Sequence, residues 1–81
     1  MSDRQLIQAR DVADRAWRRK KEELFTVCSR HGRDSEHAKN TWREMNRLYE
    51  IYWAALVLAA PAERRRFAKR YPRIEQETYQ A

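Results

Sequence analysis

Along the first thirty residues, apolar side chains recur at steps of three and four, which is the pattern of one helix face. The face consists mainly of alanine and aliphatic residues, interrupted by a lysine and ended by a histidine: Leu6, Ala9, Ala13, Ala16, Lys20, Leu24, Val27 and His31, widened by Trp17, Phe25 and Cys28. Ser2 or Asp3 is suited to cap this helix, and Gly32 is suited to end it. The pattern predicts a first helix over about residues 3–31.

After a short turn at residues 33–35, apolar residues again recur at steps of three and four. Asp34 or Ser35 is suited to cap the new helix. Its expected core face contains Ala38, Trp42, Met45, Leu48, Tyr49, Tyr52, Leu56 and Ala59. The pattern predicts a second helix over about residues 35–60. Because the connection is short, we expect the two helices to lie antiparallel as a hairpin.

The second half of this helix differs from the first, because every residue from 51 to 60 is apolar. A helix that is apolar on all sides must be covered on all sides, and one neighbouring helix covers only one side. We therefore expect a homodimer with a four-helix-bundle-like assembly. The residues expected at its interface are Ile51, Tyr52, Trp53, Leu56, Val57 and Leu58. The alternative is that the segment after Pro61 folds back and covers this surface with Phe67 and Tyr71.

Pro61 is expected to end the second helix, because proline lacks the N–H that a helix interior requires. Proline also suits the first position of a helix, so the sequence predicts a short, separate, basic helix over about residues 61–71, ended by Pro72. Residues 72–81 are expected to form a polar tail. The predicted fold class is all-α, with a single domain over residues 1–71 that consists of an antiparallel helical hairpin and a short C-terminal helix.

Length and composition indicate the number of domains and the cell compartment. A chain of 81 residues holds one domain, and its single cysteine excludes an internal disulfide, which fits a reducing compartment. The longest apolar run, residues 51–60, is about half the roughly 20 residues that a membrane-spanning helix needs. The first residues lead into a charged helix rather than an apolar leader. We expect a soluble, cytoplasmic protein that does not bind membranes.

The chain carries 18 basic and 12 acidic residues, so its net charge is +6. One basic cluster lies on the first helix among acidic residues: Arg15, Arg18, Arg19, Lys20 and Lys21. A second, less neutralised cluster follows Pro61: Arg64, Arg65, Arg66, Lys69, Arg70 and Arg73. Cationic faces attract phosphates, although many are solvated surfaces or docking sites for acidic proteins. The second cluster is therefore the candidate site for a partner protein or nucleic acid.

Few residues of this chain have the chemistry for metal binding or catalysis. Cys28, His31 and His37 are the soft metal ligands, and Asp34 could supply a fourth, but their spacing matches no standard zinc module. Cys28 and His31 are also the one nucleophile–base pair, and a helix C-terminus opposes thiolate formation there. The single glycine excludes a glycine-rich phosphate loop. We expect no catalytic residue, metal, cofactor or small-molecule substrate, and no enzymatic activity.

These features favour a small, non-enzymatic, helical protein-binding module that forms a homodimer and docks onto another protein. In size and type such a chain is similar to phage or mobile-element accessory proteins that inhibit or adapt a host protein, although no motif supports the analogy. The alternative is a nucleic-acid-binding or transcription-regulatory protein that uses the basic C-terminal segment.

Overall fold

Two long helices make up the part of the chain that the computed structural model describes, residues 1–70. α1 spans Asp3–His31 and α2 spans Glu36–Arg70. They pack against each other as a hairpin, and residues 1–70 contain no strand. The predicted all-helical hairpin is therefore confirmed.

Local hydrogen bonds fix both ends of α1 and the start of α2. The Gln5 N–H donates to the Ser2 hydroxyl, and the Ser2 N–H donates to the Gln5 side chain, which is a capping box. Gly32 ends α1 with a φ of 88°, a conformation that favours glycine. Ser35 caps α2 by accepting a hydrogen bond from the Ala38 N–H. Of the two cap residues considered for each helix, the serine takes the role in both.

Ion pairs between the helices show that they run in opposite directions. Those joining α1 to α2 within residues 1–70 are Asp3–Arg65, Arg10–Glu63 and Lys20–Glu44. The Arg65 guanidinium makes two hydrogen bonds to the Asp3 carboxylate, of 2.6 and 2.9 Å, and lowers the pKa of that carboxyl. Exposed ion pairs contribute little stability each, so their main effect is to set which turns of the two helices face each other.

The seam between the helices follows a seven-residue repeat. The α1 positions in this repeat are Asp3, Leu6, Arg10, Ala13, Trp17, Lys20, Leu24 and Val27, and those of α2 are Ala38, Thr41, Met45, Leu48, Tyr52, Ala55, Ala59 and Ala62. Every one of them is buried or half-buried. Alternating steps of three and four average 3.5 residues per turn, which is the spacing of a two-stranded coiled coil.

This repeat corrects part of the expected core. Residues expected on the core faces but exposed in the structure are Ala9, Phe25, His31, Trp42 and Tyr49. Ile7 and Thr41 are buried instead, and the Thr41 hydroxyl is satisfied because it donates to the His37 carbonyl at 2.9 Å. The coiled-coil spacing selects Thr41 for the seam, and the next residue, Trp42, is consequently turned to one side.

The core that results is thin. Ala59 and Ala62 have no exposed surface, and no large side chain of the described residues is fully buried. Alanines let two helices approach closely, but each removes little apolar area from water. The smallest extent of the molecule is 15 Å, about one helix diameter with side chains, so both flanks of the hairpin remain open.

The prediction that Pro61 ends the second helix is wrong. α2 continues through Pro61 to Arg70, so residues 61–70 extend α2 and do not form a separate short helix. An interior proline costs about 3 kcal/mol, because it removes a hydrogen bond to the carbonyl four residues earlier, that of Val57. Ala59 and Ala62 are buried on either side of Pro61, and Glu63 and Arg65 form ion pairs with Arg10 and Asp3, so the turns around the proline are held against α1.

Candidate interaction surfaces

One side of the hairpin carries a row of exposed aromatic side chains. On α2 they are Trp42, Tyr49 and Trp53. Trp42 precedes Asn46 by four residues, and Tyr49 and Trp53 follow Asn46 by three and seven, so all of them lie on one side of the helix. Phe25 of α1 is also exposed and lines the same groove as Trp42. We call Phe25, Trp42, Tyr49 and Trp53 the aromatic flank.

The aromatic flank is anchored to α1 through Trp17. The Trp17 ring lies 5.1 Å from the Tyr49 ring, edge to face, and 6.1 Å from the Tyr52 ring, between centroids. Tyr49 in turn meets Trp53 edge to face at 6.4 Å. Aromatic pairs of this geometry contribute about 0.5–1.5 kcal/mol beyond the area that they bury. Tyr49 and Trp53 are therefore positioned by ring contacts that lead back to α1.

Cations border the buried edge of this flank. The Arg18 guanidinium and the Lys21 ammonium lie 5.5 and 5.6 Å from the Trp17 ring centroid, within the range of cation–π attraction. Asp14 accepts hydrogen bonds from the Trp17 indole at 3.0 Å and from Arg18 at 2.9 Å. The Arg18 guanidinium lowers the pKa of Asp14 and so favours the charged carboxylate that accepts the hydrogen bond of the indole.

A groove of about 540 Å³ opens at the hairpin tip, where the aromatic flank meets the turn. Its lining residues are Leu24, Phe25, Cys28, Arg33, Asp34, Ala38, Lys39 and Trp42. Phe25 is 66% exposed and Trp42 is 54% exposed, so its walls are apolar surface in contact with water. A concave apolar site bordered by a few charges is typical of a binding site for an apolar side chain.

A second apolar row lies on the opposite side of α2. Ile51 and Leu58 follow Glu44 by seven and fourteen residues, so they share its side of the helix, and Glu44 reaches Lys20 at 3.0 Å. Ile51 follows Tyr49 by two residues, a rotation of about 200°, which separates the two rows. Ile51 and Leu58 are 52% and 61% exposed. We call Ile51 and Leu58 the aliphatic flank.

The six residues expected at a self-association interface divide between these surfaces and the seam. Ile51, Trp53, Val57 and Leu58 are exposed. Tyr52 and Leu56 are half-buried, and Tyr52 contacts Trp17 across the seam. The prediction missed Phe25 and Trp42, although their size and their positions near the turn were visible in the sequence, because both were assigned to the core.

The alternative cover for this surface does not form within the described residues. Because α2 continues through Pro61, Phe67 stays on the same helix and is 46% exposed. It lines a groove near the ends of the hairpin with Ile7, Arg10 and Glu63. Tyr71 and the predicted polar tail over residues 72–81 lie outside the described residues.

The basic cluster lies on the last turns of α2. Its members Arg64, Arg65, Arg66, Lys69 and Arg70 are all exposed, and Arg73 lies outside the described residues. Arg65 is held by Asp3. The other four form no ion pair with any residue of 1–70. This end of the hairpin therefore presents unpaired positive charge.

The residues considered for metal binding meet only in part. The rings of His31 and His37 lie 4.9 Å apart across the turn, while Cys28 and Asp34 line the groove at the tip. Within residues 1–70, no three or more histidine, cysteine or acidic side chains are grouped so that they could hold a metal ion. Neither helix, over the part that the structure describes, is long and apolar enough to cross a membrane.

Comparisons with protein-family models, with curated proteins and with solved structures return no match to this chain.

Proposed function

We propose that this chain is a non-enzymatic helical protein-binding module that self-associates as a homodimer and docks onto another protein. One observation carries the proposal: the most buried residues are alanines, whereas the large apolar side chains of α2 are exposed on both flanks. Groups of large apolar side chains that are exposed together on a soluble protein mark interaction sites.

The energetics of a two-helix hairpin support this reading. Burying a large apolar side chain contributes about 1.5–3 kcal/mol. A partner that covers the exposed half of such a side chain therefore adds about 1 kcal/mol of stabilisation. Trp42, Trp53, Val57 and Leu58 are all about half exposed or more. For a domain of this size the sum is comparable with the whole free energy of unfolding.

The two flanks suit two different contacts. A pair of hairpins joined through one flank makes a four-helix-bundle-like assembly and leaves the other flank in water. We assign the aromatic flank to self-association, because its side chains are larger and two of them, Tyr49 and Trp53, are linked by ring contacts to Trp17. The aliphatic flank is then available for a second protein, which fits an accessory or inhibitory role that consists of covering a surface of another protein.

Sedimentation equilibrium of the full chain tests the self-association. We expect twice the chain mass of 9.9 kDa at micromolar concentrations. A single species at the chain mass throughout that range would contradict the proposal. Capture from the source cell with nuclease treatment, comparing the wild type with Leu58→Glu, then identifies a second protein that needs the aliphatic flank.

A second candidate function is nucleic-acid binding through the basic cluster. The observation that favours it is the exposure of Arg64, Arg66, Lys69 and Arg70 without ion pairs to residues 1–70. If it holds, duplex binding should weaken steeply with salt, and replacing Arg64 and Arg66 by Glu should abolish it. No detectable duplex binding at low salt would remove this candidate.

A further inference from the structure

The aromatic flank has a spacing that reads the same in both directions. Trp42, Asn46, Tyr49 and Trp53 are separated by four, three and four residues. If two copies of α2 lie antiparallel about a two-fold axis between residues 47 and 48, Trp42 faces Trp53 of the other copy and Asn46 faces its Tyr49. Such self-complementarity is what a two-fold symmetric interface requires, because both copies use the same surface.

We infer that a second copy of this chain docks antiparallel on the aromatic flank, so that Trp53 of one copy packs against Trp42 beside the tip groove of the other. This inference rests on the proposed self-association and specifies its geometry. Val57 follows Glu50 by seven residues, so it lies on the side of α2 that also carries Arg43 and Glu50, away from the seam residue Ala38. Ala38 and Trp42 both line the groove, and Trp53 and Val57 are exposed.

Charges on the outer edge of the flank match the same arrangement. Arg43 and Glu50 each follow a flank residue by one position and lie seven residues apart on one helix side. In the antiparallel pair, the positions of Arg43 of one copy and Glu50 of the other differ by about 3 Å along the helix axis. Within residues 1–70, Arg43 donates to the Asn40 side chain and Glu50 has no ion-pair partner. Two complementary ion pairs, related by the two-fold axis, can therefore border the interface.

The area available is sufficient for a dimer. Half-exposed aromatic side chains leave on the order of 100 Å² each, so the four rings of the aromatic flank with Val57 offer about 500 Å² per copy. Two copies bury about 1,000 Å², which reaches the lower limit for a specific protein–protein interface. The net charge of +6 per chain opposes association at low salt, and the Arg43–Glu50 pairs reduce this repulsion locally.

A charge-reversal cycle on the full chain tests this geometry. The variants are Arg43→Glu, Glu50→Arg and the double reversal, with Leu58→Glu on the aliphatic flank as the matched control. Because the interface is two-fold symmetric, each single reversal creates two pairs of like charges across it. It should therefore raise the dimer dissociation constant about tenfold or more. The double reversal should return it to within about threefold of the wild type, because the pairs are restored with exchanged signs. Sedimentation equilibrium measures the constants, and circular dichroism at high concentration checks that each variant is helical.

The outcomes separate this inference from the proposed function. Weakening by both single reversals, rescue by the double reversal and an unaffected Leu58→Glu dimer support the antiparallel interface. A wild-type dimer that is indifferent to the reversals overturns the inference and leaves self-association standing. Loss of the dimer in Leu58→Glu alone overturns it too, because it places the contact on the aliphatic flank. A monomeric wild type overturns both.

Discussion

The indole of Trp17 in α1 meets the ring of Tyr49 in α2 edge to face, with 5.1 Å between ring centroids. Tyr49 also meets Trp53 edge to face, so the pair links the packing inside the hairpin to the row of rings on its surface. Cations from α1 and the Asp14 carboxylate hold the indole in position. The residues that hold the two helices together thus also orient the surface to which we assign binding.

Removal of the Trp17 ring should destabilise the hairpin itself. Trp17→Ala loses the contacts to Tyr49 and Tyr52 and leaves a cavity in the seam, which should cost about 2–3 kcal/mol for a half-buried ring. Urea unfolding at a fixed, high protein concentration measures the loss. Trp42→Ala is the comparison, because Trp42 is exposed and its loss should lower stability only by weakening association. An unchanged urea midpoint in Trp17→Ala would show that the seam does not depend on this ring.

Pro61 offers a test of the continuous second helix. Pro61→Ala restores an N–H that can donate to the Val57 carbonyl and removes a ring from the helix interior, so stability should rise by up to about 3 kcal/mol. The reverse change at an exposed position of the same helix, Ala54→Pro, should cost about that amount. Chemical denaturation measures both. A loss of stability in Pro61→Ala would mean that the proline ends α2 instead of lying within it.

The alanines of the seam should not tolerate larger side chains. Ala62 has no exposed surface, so Ala62→Leu forces the helices apart and should cost about 1–3 kcal/mol. Ala54→Leu introduces the same side chain at an exposed position of α2 and should change stability by less than about 0.5 kcal/mol. Thermal unfolding of the two variants at equal concentration compares them. Equal stabilities would indicate that residue 62 does not face α1.

Acid should weaken the end of the hairpin where Asp3 meets Arg65. The hydrogen bonds from the Arg65 guanidinium lower the pKa of Asp3 below its ordinary value of 3.8. A lowered pKa in the folded state means that the stabilisation is complete above 3.8 and is lost as the pH falls through the folded value. Asp3→Asn should therefore melt at a lower temperature than the wild type at about pH 6 and at nearly the same temperature at about pH 2. A difference that persists undiminished in acid would show that the pair does not act through this carboxylate's charge.

The sequence was sufficient for the hairpin and insufficient for the choice of its faces. The capping serines, Gly32 and the short turn act within a few residues, so the ends of α1 and the start of α2 could be predicted from local chemistry. The choice between Thr41 and Trp42 depended on how the helices coil around each other, a property of the pair. Trp42 was assigned to the core because large apolar residues usually lie there.

The course of the chain at Pro61 depended on tertiary contacts as well. The rule that proline ends a helix holds for an isolated segment. Here, the buried alanines at 59 and 62 and the ion pairs of Arg10 and Asp3 hold the next turns of helix against α1. The apolar run from residue 51 onward is visible in the sequence. Its division into two flanks became visible only when the position of α1 was known.

Because its core consists largely of alanines, we expect the hairpin to depend on association for its stability. The most direct test is the melting temperature of the full chain as its concentration is raised a hundredfold, from about 2 to about 200 µM. When folding and dimerisation are coupled, the melting temperature should rise by about 10 °C over that range. A melting temperature independent of concentration would contradict the claim, because it would show that the single hairpin is stable alone.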